Sequence, residues 1–253
     1  MIKLIRPTKP ELLAQNEAAL TQQFLADKKS RVWSKPYIIK PLAEMSHNKC
    51  CFCETLLGEQ AKNLNVEHYH YKEAYSNEVV KWDNLLPACG QCNSNKGTHD
   101  TYKEPLIDPT NDDPRDYLYI KFYRIMSKNS SKESKGRMTV DLLDLNNRER
   151  LITPRLKIAD ILHDKLDYLI DKVMNIKSGK ETRQLMKTRL KNGIRDVLKM
   201  AQPDAEYSAF ISTILLEDDD YITIRETMKA LSLWNEELEE LHFQSNKIKL
   251  EYR

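Results

Sequence analysis

Two pairs of cysteines with the same two-residue gap, Cys50-Cys51-Phe52-Cys53 and Cys89-Gly90-Gln91-Cys92, constrain this chain more than any other feature. The gap lets both thiolates of one knuckle reach an ion about 2.3 Å away, and two knuckles complete the tetrahedral four-sulfur site that suits zinc. Any fold the chain adopts must therefore bring residues 50–53 against residues 89–92. All five cysteines lie between residues 50 and 92. The odd count speaks against a disulfide framework and for metal or catalytic use. Two pairs, with no cysteine elsewhere, also disfavour unligated thiols or a thioredoxin-like redox pair. Cys51 is left over and reads as a bystander in the knuckle turn. Residues 54–88 separate the pairs, more than the roughly 15 to 20 of a simple zinc ribbon, so a functional insert is expected there.

Composition narrows the setting. The 253 residues hold 40 Lys+Arg against 38 Asp+Glu, only six glycines, and 31% charged residues. Mean hydropathy is -0.65. This describes a polar, helix-rich protein with no apolar run near the roughly 18 residues of a membrane span. Met1 to Pro10 has no apolar core or small-residue cleavage pattern of a secretory leader, so a cytoplasmic location with no membrane partner is expected. A net charge of +2 gives no global electrostatic case for nucleic acid, and any such case has to be local.

Thr8-Lys9-Pro10-Glu11 reads as a capping box opening a helix over about 9–27. Pro36 and Pro41 interrupt Trp33 to Met45, leaving room for a short helical turn. The prolines around Pro105-Leu106-Ile107-Asp108-Pro109 and Asp112-Asp113-Pro114 predict an ordered loop. Alternation at Leu118, Ile120 and Phe122, repeated at Met138, Val140 and Leu142, predicts a hairpin whose tip is the polar stretch 127–137. Four helices are expected beyond it: one from Thr153-Pro154 to Ser178-Gly179, then 180–200, 205–216 and 221–250, each with an apolar face to bury.

The insert and its flank carry the chemistry. Val66-Glu67-His68-Tyr69-His70 sets a carboxylate beside an imidazole. Trp82-Asp83-Asn84-Leu85-Leu86-Pro87 puts an amide ahead of an apolar strand, and Asn93-Ser94-Asn95-Lys96-Gly97 puts an amide and a lysine at the start of a predicted helix. Such groups bind a hard divalent ion through oxygen while a neutral imidazole stays free to take a proton from water.

These residues resemble the HNH endonuclease family. Glu67-His68, Asn84-Leu85 and Cys89-Gly-Gln-Cys92-Asn93-Ser-Asn-Lys96-Gly97 match its pattern in order, over about residues 47–100. The resemblance implies an α+β, mainly helical fold with a central ββα-metal finger, flanked by an N-terminal helix and a C-terminal helical region. Cys50, Cys53, Cys89 and Cys92 would hold a structural zinc ion that clamps the finger. His68 would be the general base for hydrolysis of a phosphodiester, and Glu67 and Asn93 would hold a catalytic Mg2+ or Mn2+. Asn84 would orient the His68 ring and brace the loop, and Lys96 would meet phosphate near the helix N-terminus. Glu67 stands where the family often has Asp, and Tyr71 where it usually has proline. His70, two residues from His68, falls on the same strand face as an alternative ligand or base, although a surface strand histidine is the simpler reading. His47 and His99 have no motif position.

Beyond the finger, the chain resembles the nuclease subunits of Septu antiphage systems. That resemblance rests on the helical lead-in, Trp33, Val66-Glu67-His68, the Pro105–Pro109 loop and the helical C-terminal half. It implies four segments: a lead-in over 1–46, the finger over 47–104, a proline-rich loop and hairpin over 105–150, and a partner-binding helical region over 151–253. It also implies a PtuA-like ABC-type ATPase partner and a nucleic-acid substrate, DNA or an RNA such as tRNA, with a retron reverse transcriptase and its DNA as further candidate partners. The competing reading is a non-catalytic zinc-finger module that binds nucleic acid or scaffolds a complex, which has no need of Glu67, His68, Asn84 and Asn93 in order. The basic series Arg183, Lys187, Lys191, Arg195 and Lys199 reads first as a solvated helix face and only second as a phosphate track. Asp108, Asp112, Asp113 and Asp116 are better explained by turn chemistry than by a metal. Trp234, Leu238 and Leu241 form a core or interface stripe.

Overall fold

The computed structural model describes residues 1–58 and 63–253. The chain is mixed α+β and mainly helical, and it divides into two compact units: residues 1–117 with 126–146, and residues 118–125 with 147–253. No helix among the described residues is long and apolar enough to cross a membrane.

The first unit is built round a hairpin. Strands β1 (Leu64–His68) and β2 (Leu85–Cys89) pair antiparallel, with Val66 opposite Pro87 and His68 opposite Leu85. Helix α3 (Gly90–Lys96) follows β2 without a loop and packs on both strands. Leu85, Leu86 and Ala88 are wholly buried, so β2 is a core strand. Its proline is tolerated because an absent N–H matters little where the Pro87 carbonyl is used instead, accepting from Cys51 N–H at 2.9 Å.

Helix α1 (Glu11–Ala26) buries Leu13, Leu20 and Phe24. The expected capping box does not form: Pro10 occupies the cap position, and no side chain caps the helix. Helix α2 (Pro36–Met45) is a full ten-residue helix where only a turn was expected, and it packs on the hairpin. Pro36 sits in the first turn, where its missing donor is harmless. Pro41 forfeits one interior bond, and burial of Ile38, Leu42, Ala43 and Met45 outweighs it.

The predicted hairpin of residues 117–142 needs correction. Its strands are β3 (Leu118–Lys121) and β4 (Arg124–Ser127), joined through Phe122, whose φ of 53° makes the tight turn. Met138, Val140 and Leu142 lie instead in helix α5 (Lys135–Leu142), started by the Ser134 side chain accepting from Arg137 N–H. Between the hairpin elements and the finger, the short helix α4 (Pro114–Tyr117) follows the Asp-rich loop. That loop is turn chemistry: Asp108 accepts from Thr110 and Asn111, Asp112 pairs with Lys135, and Asp113 pairs with Arg115.

The second unit is a helical bundle. Its long helix α6 (Thr153–Lys177) buries Ala159, Leu162, Leu166, Leu169, Val173 and Ile176, and packs against α7 (Gln184–Met200), α8 (Ser208–Leu216) and α9 (Asp219–Ala230). The start and stop of α6 follow the proline and glycine signals. The single helix expected over 221–250 is two, α9 and α10 (Glu236–Ile248). Ser232 takes a left-handed φ of 55°, and the Asn235 side chain accepts from Leu238 N–H at 3.1 Å, so a new helix begins there. The final strand β5 (Glu251–Tyr252) runs parallel to β3, completing a sheet of order β4-β3-β5.

Candidate metal centre and neighbouring cleft

The sulfurs of Cys50, Cys53, Cys89 and Cys92 all lie within 4.8 Å of one another, and Cys53 Sγ is 3.7 Å from Cys89 Sγ. Tetrahedral zinc with bonds of about 2.3 Å separates its sulfurs by roughly 3.8 Å, so the four thiols fit that ion. The first knuckle is a tight turn: Glu54 N–H donates to Cys50 O, Cys50 N–H donates to Thr55 O, and Glu54 has φ 63°. In the second, Cys89 is the N-cap of α3 and its sulfur accepts from Cys92 N–H at 3.4 Å. Burial and the crowding of four sulfurs push the Cys50, Cys89 and Cys92 thiols up, while the same neighbours hold Cys53 well down. The Thr55 hydroxyl, 3.3 Å from Cys53 Sγ, is placed to donate to it as a thiolate. Ionising all four needs a cation among them. Cys51 is buried outside the cluster, as its place in the turn suggested.

Helix α3 also borders a cleft of about 210 Å³, lined by Glu67, His68, Tyr71, Lys72, Glu73, Asn93, Ser94, Gly97 and Thr98. The strand ends at His68, and its last three residues are buried. His68 Nε2 lies 2.8 Å from the Val79 carbonyl oxygen, which can only accept, so Nε2 carries the proton and Nδ1 keeps its lone pair. Trp33 packs edge-on against the ring at 4.8 Å. Burial lowers the His68 pKa to about 4, so the imidazole is neutral near pH 7.

Asn84 sits beneath the loop rather than in the cleft. Its Oδ1 accepts from His70 N–H at 2.6 Å, and its Nδ2 donates to the carbonyls of His70 and Glu78 at 3.0 and 3.1 Å. It thereby fixes the two ends of the segment from His70 to Glu78. Val79, next in the chain, supplies the carbonyl that holds His68. The three Asn84 side-chain hydrogen bonds go to backbone groups and not to the imidazole.

Lys96 is not where the sequence reading put it. It is the last residue of α3, its side chain is 0% exposed, and Nζ donates to Glu67 Oε1 at 2.7 Å and to His68 O at 2.8 Å. The helix end is turned by Gly97, whose φ is +49°. Glu67 is itself only 3% exposed, and burial lifts its carboxyl to about 7 against the downward pull of Lys96. Asn93, one turn before Lys96, lines the cleft from the helix side. The carboxylate of Glu67 and the amide oxygen of Asn93 are hard donors that fit a divalent ion.

His70 also departs from expectation. The strand stops two residues earlier, so the alternation that would set it beside His68 does not extend to it. Its Nδ1 is 2.8 Å from Thr101 Oγ1, and its ring stacks on Tyr102 at 3.6 Å, outside the cleft. Thr101 donates its hydroxyl proton to Tyr69 O, so it accepts from His70. Lys72, Glu73 and Thr98 are cleft residues the motif did not indicate. Trp33, which the sequence offered only as part of the Septu resemblance, packs on the His68 ring without lining the cleft. On α7, Arg195 is paired with Glu237 and Arg183 with Glu181, which fits a solvated face.

No family model matches the chain. The chain is similar to the Septu protein PtuB of Bacillus thuringiensis, 42% identical over 241 residues that cover 95% of this chain and 92% of that protein.

Proposed function

The chain belongs to the family of the Septu protein PtuB, and on that premise we propose that it is a metal-dependent HNH endonuclease of an antiphage defence complex. The observation that carries this reading is the cleft: a neutral imidazole fixed by its Nε2 proton, beside one carboxylate and one amide oxygen, on a hairpin and helix joined by four clustered thiols.

In this reading His68 Nδ1 takes a proton from the water that attacks the phosphodiester in line. Its low pKa keeps it unprotonated at neutral pH, and the Val79 carbonyl holds it in the required tautomer. Asn84 is a positioning residue that holds the segment leading to Val79. Glu67 and Asn93 would hold Mg2+ or Mn2+, which would supply Lewis-acid stabilisation of the charge developing on the phosphate. The cysteine cluster holds structural zinc and keeps the start of α3 against the first knuckle. Nucleotide binding falls to a PtuA-like ATPase partner, since the sequence has no glycine-rich phosphate loop of its own.

The test is cleavage of plasmid, phage DNA and tRNA by the protein copurified with its partner ATPase, under Mg2+ or Mn2+. The expected result is metal-dependent cleavage of one of these substrates, abolished by His68→Ala. Cleavage that survives His68→Ala overturns the mechanism. Full zinc content with no cleavage by the intact complex turns the reading towards a zinc-finger scaffold.

A further inference from the structure

Every charged group at the cleft already faces an opposite charge. Glu67 Oε1 is 2.7 Å from Lys96 Nζ, and both side chains are almost wholly buried. Glu73 Oε1 is 2.6 Å from Lys72 Nζ. His68 and Asn93 add no charge. Even with both carboxylates ionised, two of them against two ammonium groups bring the cleft no lower than zero net charge, and a divalent cation entering it alone meets Lys96 and Lys72 as well as its ligands. Only oxygen-rich, electronegative sites hold Mg2+-like ions well by themselves, and sites with one protein carboxylate depend on substrate phosphates to complete them.

We propose that Lys96 is a positioning residue that makes metal binding in this cleft conditional on substrate. It holds one oxygen of Glu67 and the His68 carbonyl, so the metal ligand and the base are fixed to the end of α3. By neutralising Glu67 it also leaves the negative charge needed by a divalent ion to be supplied by the phosphates of the nucleic acid. Metal and nucleic acid then enter together, and the free protein holds little of either. This inference rests on the nuclease reading.

The experiment is Mn2+ binding followed by electron paramagnetic resonance, on the zinc-loaded full chain carrying His68→Ala so that nothing is cleaved. The probes are Mn2+ alone, and Mn2+ with a short mixed-sequence DNA duplex, its single strand, or RNA of the same sequence. One of these nucleic acids should tighten Mn2+ at least tenfold, and Mn2+ should tighten that nucleic acid by the same factor, since coupling is reciprocal. Adding Lys96→Met should tighten Mn2+ on the free protein by roughly tenfold or more, because one repelling charge is gone from beside the ligand. A purely structural lysine would give the opposite sign, since a disordered cleft binds metal less well. Should Lys96→Met lose zinc and fold, the half-buried Lys72→Met tests the same charge argument, with a smaller tightening expected.

Mn2+ binding to the free protein as tight as to the complex overturns the inference, as does failure of both lysine variants to tighten it. Glu67→Gln separates this from failure of the nuclease reading. If Glu67→Gln removes the Mn2+ signal but nucleic acid has no effect on it, the cleft stands and the coupling falls. If Glu67→Gln changes nothing under any condition, the metal does not bind here and the nuclease reading falls with it.

Discussion

The cysteine cluster and the cleft share helix α3 yet solve opposite problems. The cluster brings together four identical groups, deeply buried for the most part, that repel one another as thiolates and are stable only around a cation. The cleft brings together unlike groups, two carboxylates, two ammonium groups, an imidazole and an amide, and pairs the charges with one another. Helix α3 joins the two, with Cys92 at its start, Asn93 next and Lys96 at its end. The buried cluster is closed and uncompensated, as suits the structural ion proposed for it; the open cleft is compensated internally, as suits the substrate site proposed there.

The hardest blow to this contrast is Cys92→Ser. Structural zinc of this type contributes on the order of 10 kcal/mol of binding to the folded state. The variant should lose zinc by elemental analysis, lose the near-ultraviolet circular dichroism of Trp82 and Trp33, and lose cleavage entirely. A Cys92→Ser protein with native spectrum and native activity would show that the cleft stands without the cluster.

His68→Ala should strike the other side alone. General base catalysis is worth roughly 10² to 10⁴ in rate, so cleavage should fall by at least two orders of magnitude. Zinc content should be unchanged. The two substitutions together measure whether the sites separate as cleanly in function as in chemistry.

The cleft also has a pH signature that the cluster does not share. The folded value for His68, about 4, lies below the ordinary 6.5, so on lowering the pH the unfolded chain takes up this proton first. The His68 contribution is therefore fully present above about pH 6.5 and is lost as the pH falls towards 4, by about 3 kcal/mol in all. Glu67, lifted to about 7, acts in the opposite sense over an overlapping range. The quantity to measure is thus the stability of wild type relative to His68→Ala in urea with no added Mg2+ or Mn2+; wild type's advantage should shrink as the pH drops. A pH-independent difference would mean the ring is solvated.

Asn84→Ala is next in size. Its three hydrogen bonds go to backbone groups of the cleft loop, and leaving them unmet costs about 1–3 kcal/mol. The melting midpoint should fall by several degrees. Cleavage should fall less than in His68→Ala, since the base remains and only its support is loosened.

How much of this was legible follows from the same contrast. The cluster could be read outright, because identical residues at a fixed gap admit one arrangement round one ion. The cleft could be read only in part. Glu67, His68 and Asn93 all line the cleft, but Lys96, expected to meet phosphate near the helix N-terminus, lies at the other end of α3 against Glu67. Nothing local in Asn93-Ser94-Asn95-Lys96 says which way a lysine turns; that is decided by the strand across from it, where Glu67 offers a buried partner. The hairpin of residues 117–142 failed for a related reason. The alternation of Met138, Val140 and Leu142 also suits a short helix, and Ser134 with its side-chain cap settles the matter. The long helix over 221–250 concealed a break because its apolar spacing runs on through Ser232 and Asn235, which act through backbone conformation and not hydropathy.

The smallest expected effect comes from the most regular pattern in the sequence. Arg183, Lys187, Lys191, Arg195 and Lys199 recur every four residues along α7, while α3 carries its chemistry with no period at all. Regularity of that kind reflects the helix repeat, which places every fourth residue on one face whether or not the face has a task. Arg195 is already engaged by both oxygens of Glu237, at 2.6 and 2.7 Å, on an exposed surface where such pairs contribute little. Arg195→Ala should therefore leave the melting midpoint, the cleavage rate and the salt dependence of nucleic-acid binding unchanged. A reduced salt slope would show that α7 contacts phosphate after all, since each lost contact lowers the slope by about one. The nucleic-acid surface would then extend beyond the hairpin unit, and charge periodicity would count as a functional signal in this family alongside the cysteine gap.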